Sequence, residues 1–540
     1  MPASHRRNYL LVPVIIAAGS IAAGLFMGGG VSAATPSDDP AGQTLKSFSA
    51  IYNIVEQNYA DQIKPEKAIY KGAIPGMLRT LDPHSNFFDP RDFQELREGQ
   101  RGSYAGVGMT VSTRNNQTIV IAPFPGSPAA KAGLRPGDII MLVNDKKTEG
   151  LTTTDVADLL RGPKGTKVQV QVTREGVDQP IVFNITRDEI PRFSVTGGFM
   201  VKPGIAFMRV ESFNENTSQE MDDKFKKLGE KNVQGLILDL RQNPGGLLNE
   251  GVDVAGHFLK KGDLIVFHQG RSSPHKNYTA PKDGTGKDYP IVVLVDRYTA
   301  SAAEIVSGAL QDHDRAWILG ENTFGKGLVQ TVYPLGDNTG LALTTAHYYT
   351  PSGRLIQRDY SNISFLDYYT HSNLEEKNMQ DVKTTDSGRT VYGGGGITPD
   401  EKYEPSMLNP FQIAVRRKDS FFNFSAKYFG TRDTKLPQGW EPDAAVIDQF
   451  HAFIKEKQVE FTEADFTANR EWVRKELKRE MYVAAFSTEE SQRVAIEQDP
   501  MVQKAMESMP KAKELLSTAK NVLVKRMKAQ ENAPVAANIR

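Results

Sequence analysis

Three side chains in the second half of the chain have the types and spacing that serine-based hydrolysis needs. Ser301 lies in "TASAAEI", and Lys326 lies between two glycines in "FGKGLVQ", with Gln330 four positions later. A neutral lysine amine can take the proton of a serine hydroxyl, and burial favours that neutral form because it lowers the amine's pKa. A Ser–Lys pair is an attested alternative to the Ser–His–Asp triad. Gln330 can accept a hydrogen bond from the amine and orient it.

The residues around Ser301 place it between a strand and a helix. The apolar run "IVVLV", residues 291–295, predicts a buried strand, and apolar residues recur at helical spacing from Ala302 onward. Ligand sites of α/β sheets lie at the carboxyl ends of strands, and a helix N-terminus offers free N–H groups to an oxyanion. A serine here also fits a simple helix cap, so this turn alone does not establish a nucleophile.

A glycine-containing turn further upstream could supply the backbone N–H groups that an acyl-transfer site needs for its oxyanion. In "GLILDLRQNPGGLLNE" a strand pattern breaks into Asn-Pro-Gly-Gly before a helix. Gly245 and Gly246 have no side chains, so backbone N–H groups there can approach a reacting carbonyl closely. A helix-entry turn explains the same residues, and the spacing does not decide between the two interpretations.

Composition restricts the classes of protein and of nucleophile. The 540 residues are too many for one ordinary core and predict several domains. Lys plus Arg and Asp plus Glu are 65 each, so no overall attraction to nucleic acid is expected. The chain has no cysteine, which excludes disulfides, thiolate metal ligands and a cysteine nucleophile. The nine histidines form no H-E-x-x-H pattern, so neither a metal nor another cofactor is expected.

The first 33 residues have the pattern of an export leader. A basic start at Arg6 and Arg7 precedes an apolar run from Leu10 to Met27, and small residues follow up to Ala33. This pattern predicts a signal peptide cleaved after Ala33, or an uncleaved membrane anchor of similar length. In both cases we expect the rest of the chain in the periplasm or cell envelope.

The predicted secondary structure of the remaining chain changes at three points, which predicts four segments. An N-terminal helical segment closes on "LDPHS", where Asp82 and its neighbours predict a turn whose side chains bond the backbone. Short β-branched runs then give way to strands alternating with helices, which is typical of an α/β core, with an irregular polar loop at 352–390. Amphipathic helical patterns dominate the end of the chain. The predicted segments are 34–100, 101–188, 189–400 and 401–540.

The β-rich segment carries a recognisable order of motifs. "YAGVGM" is followed by "GSPAAKAGLRPGDIIMLVND", by a short helix and by closing strands. This order resembles that of a PDZ domain over residues 101–188. The resemblance implies that one loop presents backbone N–H groups to the terminal carboxylate of a peptide, which adds to the sheet as an extra strand. That loop comprises Ala105, Gly106, Val107, Gly108 and Met109.

The motifs "DLRQNPGG", "TASAAEI" and "FGKGLVQ" together resemble those of the carboxyl-terminal processing peptidases, also called tail-specific proteases. They occur in the family's order, and Lys326 follows Ser301 by 25 positions (326 minus 301) as in the family pattern. "GMLRTLDPHS", "TPSGRLIQ" and "GGGGITPD" extend the resemblance over about residues 40 to 400. The implied fold is a mixed α/β serine-protease core of the ClpP/crotonase-like kind with an inserted PDZ domain, an N-terminal helical segment and a C-terminal helical tail.

The same resemblance implies a role for each candidate residue. Ser301 is the expected nucleophile, Lys326 the general base and Gln330 its orienting partner, and the N–H groups of Gly246 and Ala302 form the expected oxyanion hole. The expected substrates are proteins or peptides with free, apolar carboxyl termini. The Met and Leu stripe of the C-terminal helices predicts either internal packing or a contact with a second subunit or an adaptor.

Two other functions remain as alternatives. A Ser–His–Asp hydrolase would use His313 or His347, but His313 falls twelve residues beyond Ser301 on the same predicted helix, and the chain contains no G-x-S-x-G. A catalytically inactive PDZ scaffold would capture peptide ends without cutting them. That hypothesis predicts damage to the Ser–Lys pair, whereas both residues and Gln330 are present.

Overall fold

In a computed structural model the described residues form two compact units, with the division between residues 75 and 76. The predicted leader lies outside the described residues. In the part of the chain that the structure describes, no helix is long and apolar enough to cross a membrane. The smaller unit holds α1 (Pro40–Asn58), α2 (Pro65–Ala68) and a π-helical turn (Ile69–Ala73). The described residues are 40–531, except 115, 285–286, 362, 371–377 and 431–433.

A short connection leads from the helical segment into the β-rich domain. It contains α3 (Ile74–Arg79), β1 (Asn86–Phe88) and α4 (Pro90–Arg101). Helix α4 begins after Asp89, whose carboxylate accepts two first-turn N–H groups, and it ends at Gly102 in the left-handed conformation. These two residues therefore determine where the helix begins and where it ends, just before the first strand of the next domain.

The β-rich domain is built on one antiparallel sheet in the order β3-β4-β5-β7-β8, with β6 paired to β5 and a separate β2–β9 pair. In β7 the sequence "KVQVQVT" alternates, and its three valines are buried in the domain core. The elements are β2 (Ser103–Gly106), β3 (Met109–Arg114), β4 (Gln117–Pro123), α5 (Pro128–Ala132), β5 (Ile139–Val143), β6 (Lys146–Lys147), α6 (Thr153–Leu160), β7 (Lys167–Thr173), β8 (Ile181–Thr186) and β9 (Asp188–Pro191).

The remaining elements up to residue 402 form the α/β core. They are β10 (Val195–Lys202), β11 (Ile205–Val210), α7 (Thr217–Leu228), β12 (Gly235–Asp239), α8 (Leu248–Gly256), β13 (Leu264–Gln269), β14 (Lys276–Thr279), β15 (Ile291–Val295), α9 (Ala302–Asp312), β16 (Trp317–Gly320), β17 (Leu328–Pro334), β18 (Gly340–Tyr349), α10 (Phe365–Thr370), β19 (Asn378–Thr384), β20 (Thr390–Gly393) and β21 (Glu401–Lys402). The predicted strand at 291–295 and the helix from Ala302 are both confirmed.

The central sheet of this core has the order β10-β11-β12-β15-β16-β21, and all neighbours except β10 and β11 are parallel. Every residue of β12 and β15 is buried, as expected for parallel strands covered on both faces. Side chains of α7, α8 and α9 pack on one face. A second sheet, β1-β18-β13-β14 with β17 on β18, adjoins this core.

The C-terminal region is helical, as predicted. Its first five helices enclose a core of their own, in which the rings of Phe421 and Phe450 stack with centroids 4.8 Å apart. The last helix packs on the open face of the central sheet, where Val502 and Met509 meet Ile237. The helices are α11 (Pro410–Arg417), α12 (Ser420–Gly430), α13 (Ala444–Glu456), α14 (Glu463–Ala468), α15 (Arg470–Ala485), α16 (Thr488–Glu497) and α17 (Pro500–Glu531).

The irregular loop predicted at residues 352–390 was wrong in part, because this stretch contains α10 and the strand β19, which pairs with β20. Tertiary ion pairs hold the hairpin in place. The guanidinium of Arg389 bonds the carboxylates of Asp314 (2.6 Å) and Asp400 (2.5 Å). Both aspartates lie outside residues 352–390. The polar composition of that stretch alone therefore did not indicate its regular structure.

The C-terminal helices also contact the β-rich domain. The Arg114 guanidinium lies 3.2 Å from the Asp419 carboxylate and 4.3 Å from the centre of the Phe422 ring. The backbone of Gly137 is close enough to Ala426 that a Cβ on the glycine would lie 2.9 Å from the alanine Cβ. The Arg114 contacts and the close approach of Gly137 to Ala426 therefore help to hold the two regions together.

We expect Arg114→Ala to loosen this contact, because it removes a half-exposed ion pair and a cation–π contact worth about 1 kcal/mol together. Limited proteolysis should cut residues 403–409 and 174–180 faster in the variant than in the parent protein. Lys146→Ala removes an exposed cation from the same domain and serves as the control. Equal cutting of the two variants would contradict a docking role for Arg114.

Candidate active site

Three neighbouring strands of the central sheet end at the same edge, and each is followed by one part of the candidate site. β12, β15 and β16 are parallel and adjacent. Gly246 follows the first of them, Ser301 the second and Lys326 the third. These residues line a single cavity of about 450 Å³ together with Gln330. The order of strands in the sheet thus brings together residues that are far apart in the sequence.

Ser301 occupies a strained turn immediately before α9. Its φ of 56° and ψ of −118° lie in a region that side-chain-bearing residues rarely adopt. The Ser301 N–H donates to the Glu304 carboxylate (2.9 Å), and the Glu304 N–H donates to the Ser301 carbonyl (2.8 Å). Both bonds use the serine backbone, so they hold the turn without engaging its hydroxyl.

The backbone N–H groups of Gly246 and Ala302 are not used by the bridge or by the helix in which these residues take part. Gly246 forms a parallel bridge with Phe213, in which the flanking Gly245 carbonyl and Leu247 N–H make the bonds and the Gly246 N–H faces the opposite side. Ala302 is the first residue of α9, so no carbonyl within the helix accepts its N–H.

Both glycines of this turn are required by close approach. A Cβ on Gly246 would lie 2.1 Å from the Phe213 carbonyl oxygen, and one on Gly245 would lie 2.6 Å from the Ser301 Cβ. Both residues also have positive φ angles, 142° at Gly246 and 98° at Gly245. The turn can therefore pass directly beside Ser301 only with glycine at these positions.

The amine of Lys326 is buried and held by Gln330. Its Nζ donates to the Gln330 Oε1 over 2.9 Å, and the Gln330 Nε2 donates to the His84 carbonyl over 2.6 Å. Burial lowers the pKa of Lys326, while the carboxylates of Glu304 and Asp82 oppose that shift. The amide of Gln330 is thereby oriented with its oxygen toward the lysine.

The predicted turn at "DPHS" is confirmed, and it also supports the site. The Asp82 carboxylate accepts the N–H groups of His84 and Ser85, each over 2.7 Å. Burial and the nearby Lys326 lower the pKa of His84 to about 3, so its ring is neutral at neutral pH. The turn contributes its backbone carbonyl to Gln330, a function that the side chains in the motif did not reveal.

Glu304 was missed by the sequence analysis. Its buried carboxylate accepts hydrogen bonds from four donors: the N–H groups of Ser301 (2.9 Å), Gly325 (2.7 Å) and Lys326 (2.8 Å), and the hydroxyl of Thr323 (2.5 Å). Burial raises the pKa of Glu304, and these four bonds counteract the rise. The Ser-x-x-Glu spacing of a capping box was the signal that could have identified it.

Tyr348 contacts both the loop that carries Ser301 and the loop that carries Lys326. Its buried hydroxyl lies within hydrogen-bonding distance of the Ser301 carbonyl (3.0 Å) and the Lys326 carbonyl (2.5 Å). It lies on β18, within the second sheet. No local pattern in the sequence points to this residue, because its partners are set only by how the two sheets pack.

The histidines of the alternative Ser–His–Asp hypothesis lie elsewhere. His313 follows the last turn of α9, and its ring nitrogens contact the Asp386 carboxylate (2.8 Å) and the Leu264 carbonyl (2.7 Å). These bonds overcome desolvation and raise the pKa of His313 to about 9. His347 lies on β18 and does not line the cavity. Neither ring is available to Ser301 as a base.

A second cavity, of about 270 Å³, lies between β3 and α6 in the β-rich domain. Gly106, Val107, Gly108 and Met109 line it at one end. Gly108 has a φ of 77°, and a Cβ there would lie 2.5 Å from the Ser127 Cβ. Ala105, the fifth residue of the predicted loop, pairs with Glu189 across the β2–β9 pair. The structure thus places four of the five residues at the groove.

Comparisons with known proteins follow this division of the chain. Residues 204–362 match the model of peptidase family S41, and residues 119–174 match that of the PDZ domain. The chain is 39% identical over 317 residues to a carboxy-terminal-processing protease of Bartonella bacilliformis, covering 58% of this chain and 72% of the relative. It is 30% identical over 440 residues to the carboxy-terminal processing protease CtpB of Bacillus subtilis, covering 77% and 88%.

The chain belongs to the carboxy-terminal processing proteases. This protease is a serine-type endopeptidase with a PDZ domain, and the predicted fold class is confirmed. A solved PDZ domain of a carboxy-terminal protease from Vibrio cholerae, in complex with peptide, is 35% identical and covers 16% of this chain and 97% of its own, with a TM-score of 0.16. Ser301, Lys326 and Gln330 all fall within the residues that match the peptidase family.

We expect Glu304→Gln to damage the protease although the two side chains are similar in size. The amide would turn a donor toward N–H groups that need an acceptor, which costs about 2–4 kcal/mol in a buried network. Urea unfolding should show that loss, and the rate of peptide cleavage should fall with it. Glu321→Gln, which alters a pair with the half-exposed Arg297, is the control and should change neither by much. Equal stability of the two variants would contradict the importance of this carboxylate.

Proposed function

We propose that this protease captures the free carboxyl terminus of a substrate in its PDZ groove and cleaves the adjoining chain with a Ser301–Lys326 dyad. The observation that supports the dyad is the buried Lys326 amine, held by Gln330 in the cavity that Ser301 lines. Its lowered pKa favours the neutral amine that a general base must be.

The proposed chemistry proceeds through an acyl-enzyme. Neutral Lys326 accepts the Ser301 hydroxyl proton as the serine Oγ forms a bond to the substrate carbonyl carbon. The N–H groups of Gly246 and Ala302 stabilise the resulting oxyanion at the N-terminus of α9. The lysine then returns the proton to the departing amine as the peptide bond breaks. A water molecule, deprotonated by the same lysine, releases the acyl group and restores Ser301.

The PDZ groove supplies the recognition step of this proposal. Gly106, Val107, Gly108 and Met109 line its end, where backbone N–H groups would receive the terminal carboxylate, and the apolar walls of Val111 and Leu160 suit an apolar last residue. We assign the PDZ domain to residues 101–188 and the protease core to residues 189–400. The helical segments 34–100 and 401–540 flank them.

The cellular setting also belongs to the proposal. The leader at residues 1–33 supports an exported protease of the periplasm or cell envelope, either soluble or anchored by that segment. Leu523 and Val524 are exposed near the end of α17. Exposed apolar residues on a helix suit a contact with a second copy or an adaptor protein.

The dyad can be tested with a peptide that ends in an apolar residue with a free carboxylate, and with the same peptide amidated. We expect Ser301→Ala and Lys326→Ala each to lower kcat on the order of 10⁴-fold, and the double variant to be no worse than either. The amidated peptide should be cut more slowly by the parent protease. Capture without cleavage by the parent protease and both variants would instead indicate a binding protein.

The acid limb of the pH profile tests Lys326 as the base. Protonation inactivates a lysine base, so kcat/KM should fall as the pH drops through the pKa of Lys326. Gln330→Glu places a carboxylate beside the amine, stabilises the ammonium form and should shift that limb to higher pH. Gln330→Ala removes the contact without adding charge and is the matched control. An acid limb that stays in place in Gln330→Glu would count against Lys326.

A further inference from the structure

Helix α10 packs against the "DPHS" turn through Tyr368. The Tyr368 side chain is buried, and its hydroxyl lies 2.9 Å from the Nε2 of His84. The backbone carbonyl of the same histidine accepts the Gln330 Nε2. Neither Tyr368 nor His84 lines the candidate active-site cavity. The tyrosine can therefore affect Lys326 only from outside that cavity, through the turn and the glutamine.

The hydrogen bonds around the His84 ring have one consistent set of directions. The Gln357 Nε2 donates to the Tyr368 oxygen over 3.2 Å, so the single hydroxyl hydrogen of Tyr368 is directed to the Nε2 of His84. Burial raises the pKa of Tyr368 to about 12, so this hydrogen is retained at neutral pH. The ring hydrogen of neutral His84 then belongs on Nδ1, which faces the Tyr369 hydroxyl at 3.4 Å. That hydroxyl donates in turn to the Pro83 carbonyl over 2.9 Å.

Gln357 extends the same series of contacts to the lysine loop. Its Oε1 accepts the N–H of Gly327, the residue after Lys326, over 2.9 Å, while its Nε2 bonds the tyrosine oxygen. Tyr368 therefore lies between two supports of the lysine. One is the backbone beside Lys326, and the other is the turn that orients Gln330.

Other contacts hold the helix and the turn independently of the Tyr368 hydroxyl. The Arg358 guanidinium donates to the Tyr368 carbonyl over 2.7 Å and lies 4.5 Å from the centre of its ring. The Ser85 hydroxyl accepts the Thr344 N–H over 3.1 Å, which ties the turn to the second sheet. Loss of the tyrosine hydroxyl should therefore leave the fold in place and weaken only the link to His84.

We infer that Tyr368 is a positioning residue that acts through His84 to orient the Gln330 amide, a role that rests on the proposed lysine base. With the hydroxyl in place, the histidine ring and its carbonyl are fixed, and the amide directs its oxygen to the amine. Without it, a buried ring nitrogen loses its donor, so the turn shifts and the amide can rotate. The amine of Lys326 then loses the alignment that proton transfer requires.

Tyr368→Phe removes the hydroxyl and keeps the ring. Because Tyr368 does not touch the cavity, we expect kcat for peptide cleavage to fall about 10-fold while KM stays close to the parent value. Loss of the oriented Gln330 oxygen removes an acceptor that favours the ammonium form. The pKa of Lys326 should therefore fall, and the acid limb of kcat/KM should move to lower pH. Glu304 and Asp82, the carboxylates that act on this amine, are unchanged in the variant.

Three further variants separate positioning from a general loss of packing. Tyr360→Phe is the matched control, because its ring packs edge-on against Tyr368 with centroids 6.1 Å apart but lies outside the bonds from Gln357 to His84. It should keep the parent kcat and the parent acid limb. His84→Leu keeps the backbone carbonyl, loses the ring and should move the limb in the same direction as Tyr368→Phe. The double variant leaves neither partner unpaired, so it should show the same shift with no further loss of kcat.

The outcomes distinguish the positioning role from the proposed function. An acid limb at the parent position in Tyr368→Phe, or losses of kcat that multiply in the double variant, would overturn the role of Tyr368 alone. If Tyr368→Phe does not fold, the double variant decides, since a parent acid limb there would also overturn that role. Cleavage at the parent rate by Lys326→Ala in the same assay would instead overturn the proposed dyad.

Discussion

The candidate active site depends on one buried carboxylate. Glu304 has no contact with solvent, and it accepts the N–H groups of Ser301 and Lys326 at the same time. A buried carboxylate left without donors would be costly, so the chain folds with both loops directed toward it. Ser301 and Lys326, the proposed nucleophile and base, are thus positioned through their backbones, and these bonds leave their side chains free.

The same arrangement affects the charges around the amine of Lys326. Lys326 must be desolvated to become neutral, yet a negative charge nearby favours its ammonium form. The four hydrogen bonds to Glu304 and the Asp82 bonds to the "DPHS" turn spread those charges onto fixed N–H groups. The direct partner of the amine is the neutral Gln330. The lysine is therefore held without being locked in its charged form.

The C-terminal helices link the central sheet to the PDZ domain. The C-terminal helices contact both the central sheet and the PDZ domain, through Met509 on one and the Arg114–Asp419 pair on the other. The region that lies outside the family motifs is therefore part of the framework of the molecule. It connects the part that would bind a carboxyl terminus to the part that would cut the chain.

Most of the elements and the candidate dyad could be predicted from the sequence, whereas the helix and strand within residues 352–390 could not. The periodicity of apolar residues predicted the buried strand before Ser301 and the helix after it. The alternation of strands and helices predicted the α/β core, and the order of motifs predicted the PDZ domain. The surroundings of the candidate dyad became visible in the folded chain. Glu304 resembled an ordinary capping residue, Tyr348 gave no local signal, and the role of the His84 carbonyl depends on a contact 246 positions along the chain. The physical reason is that periodicity and end signals act within a few residues, whereas the partners of a buried polar group are chosen by the packing of distant strands.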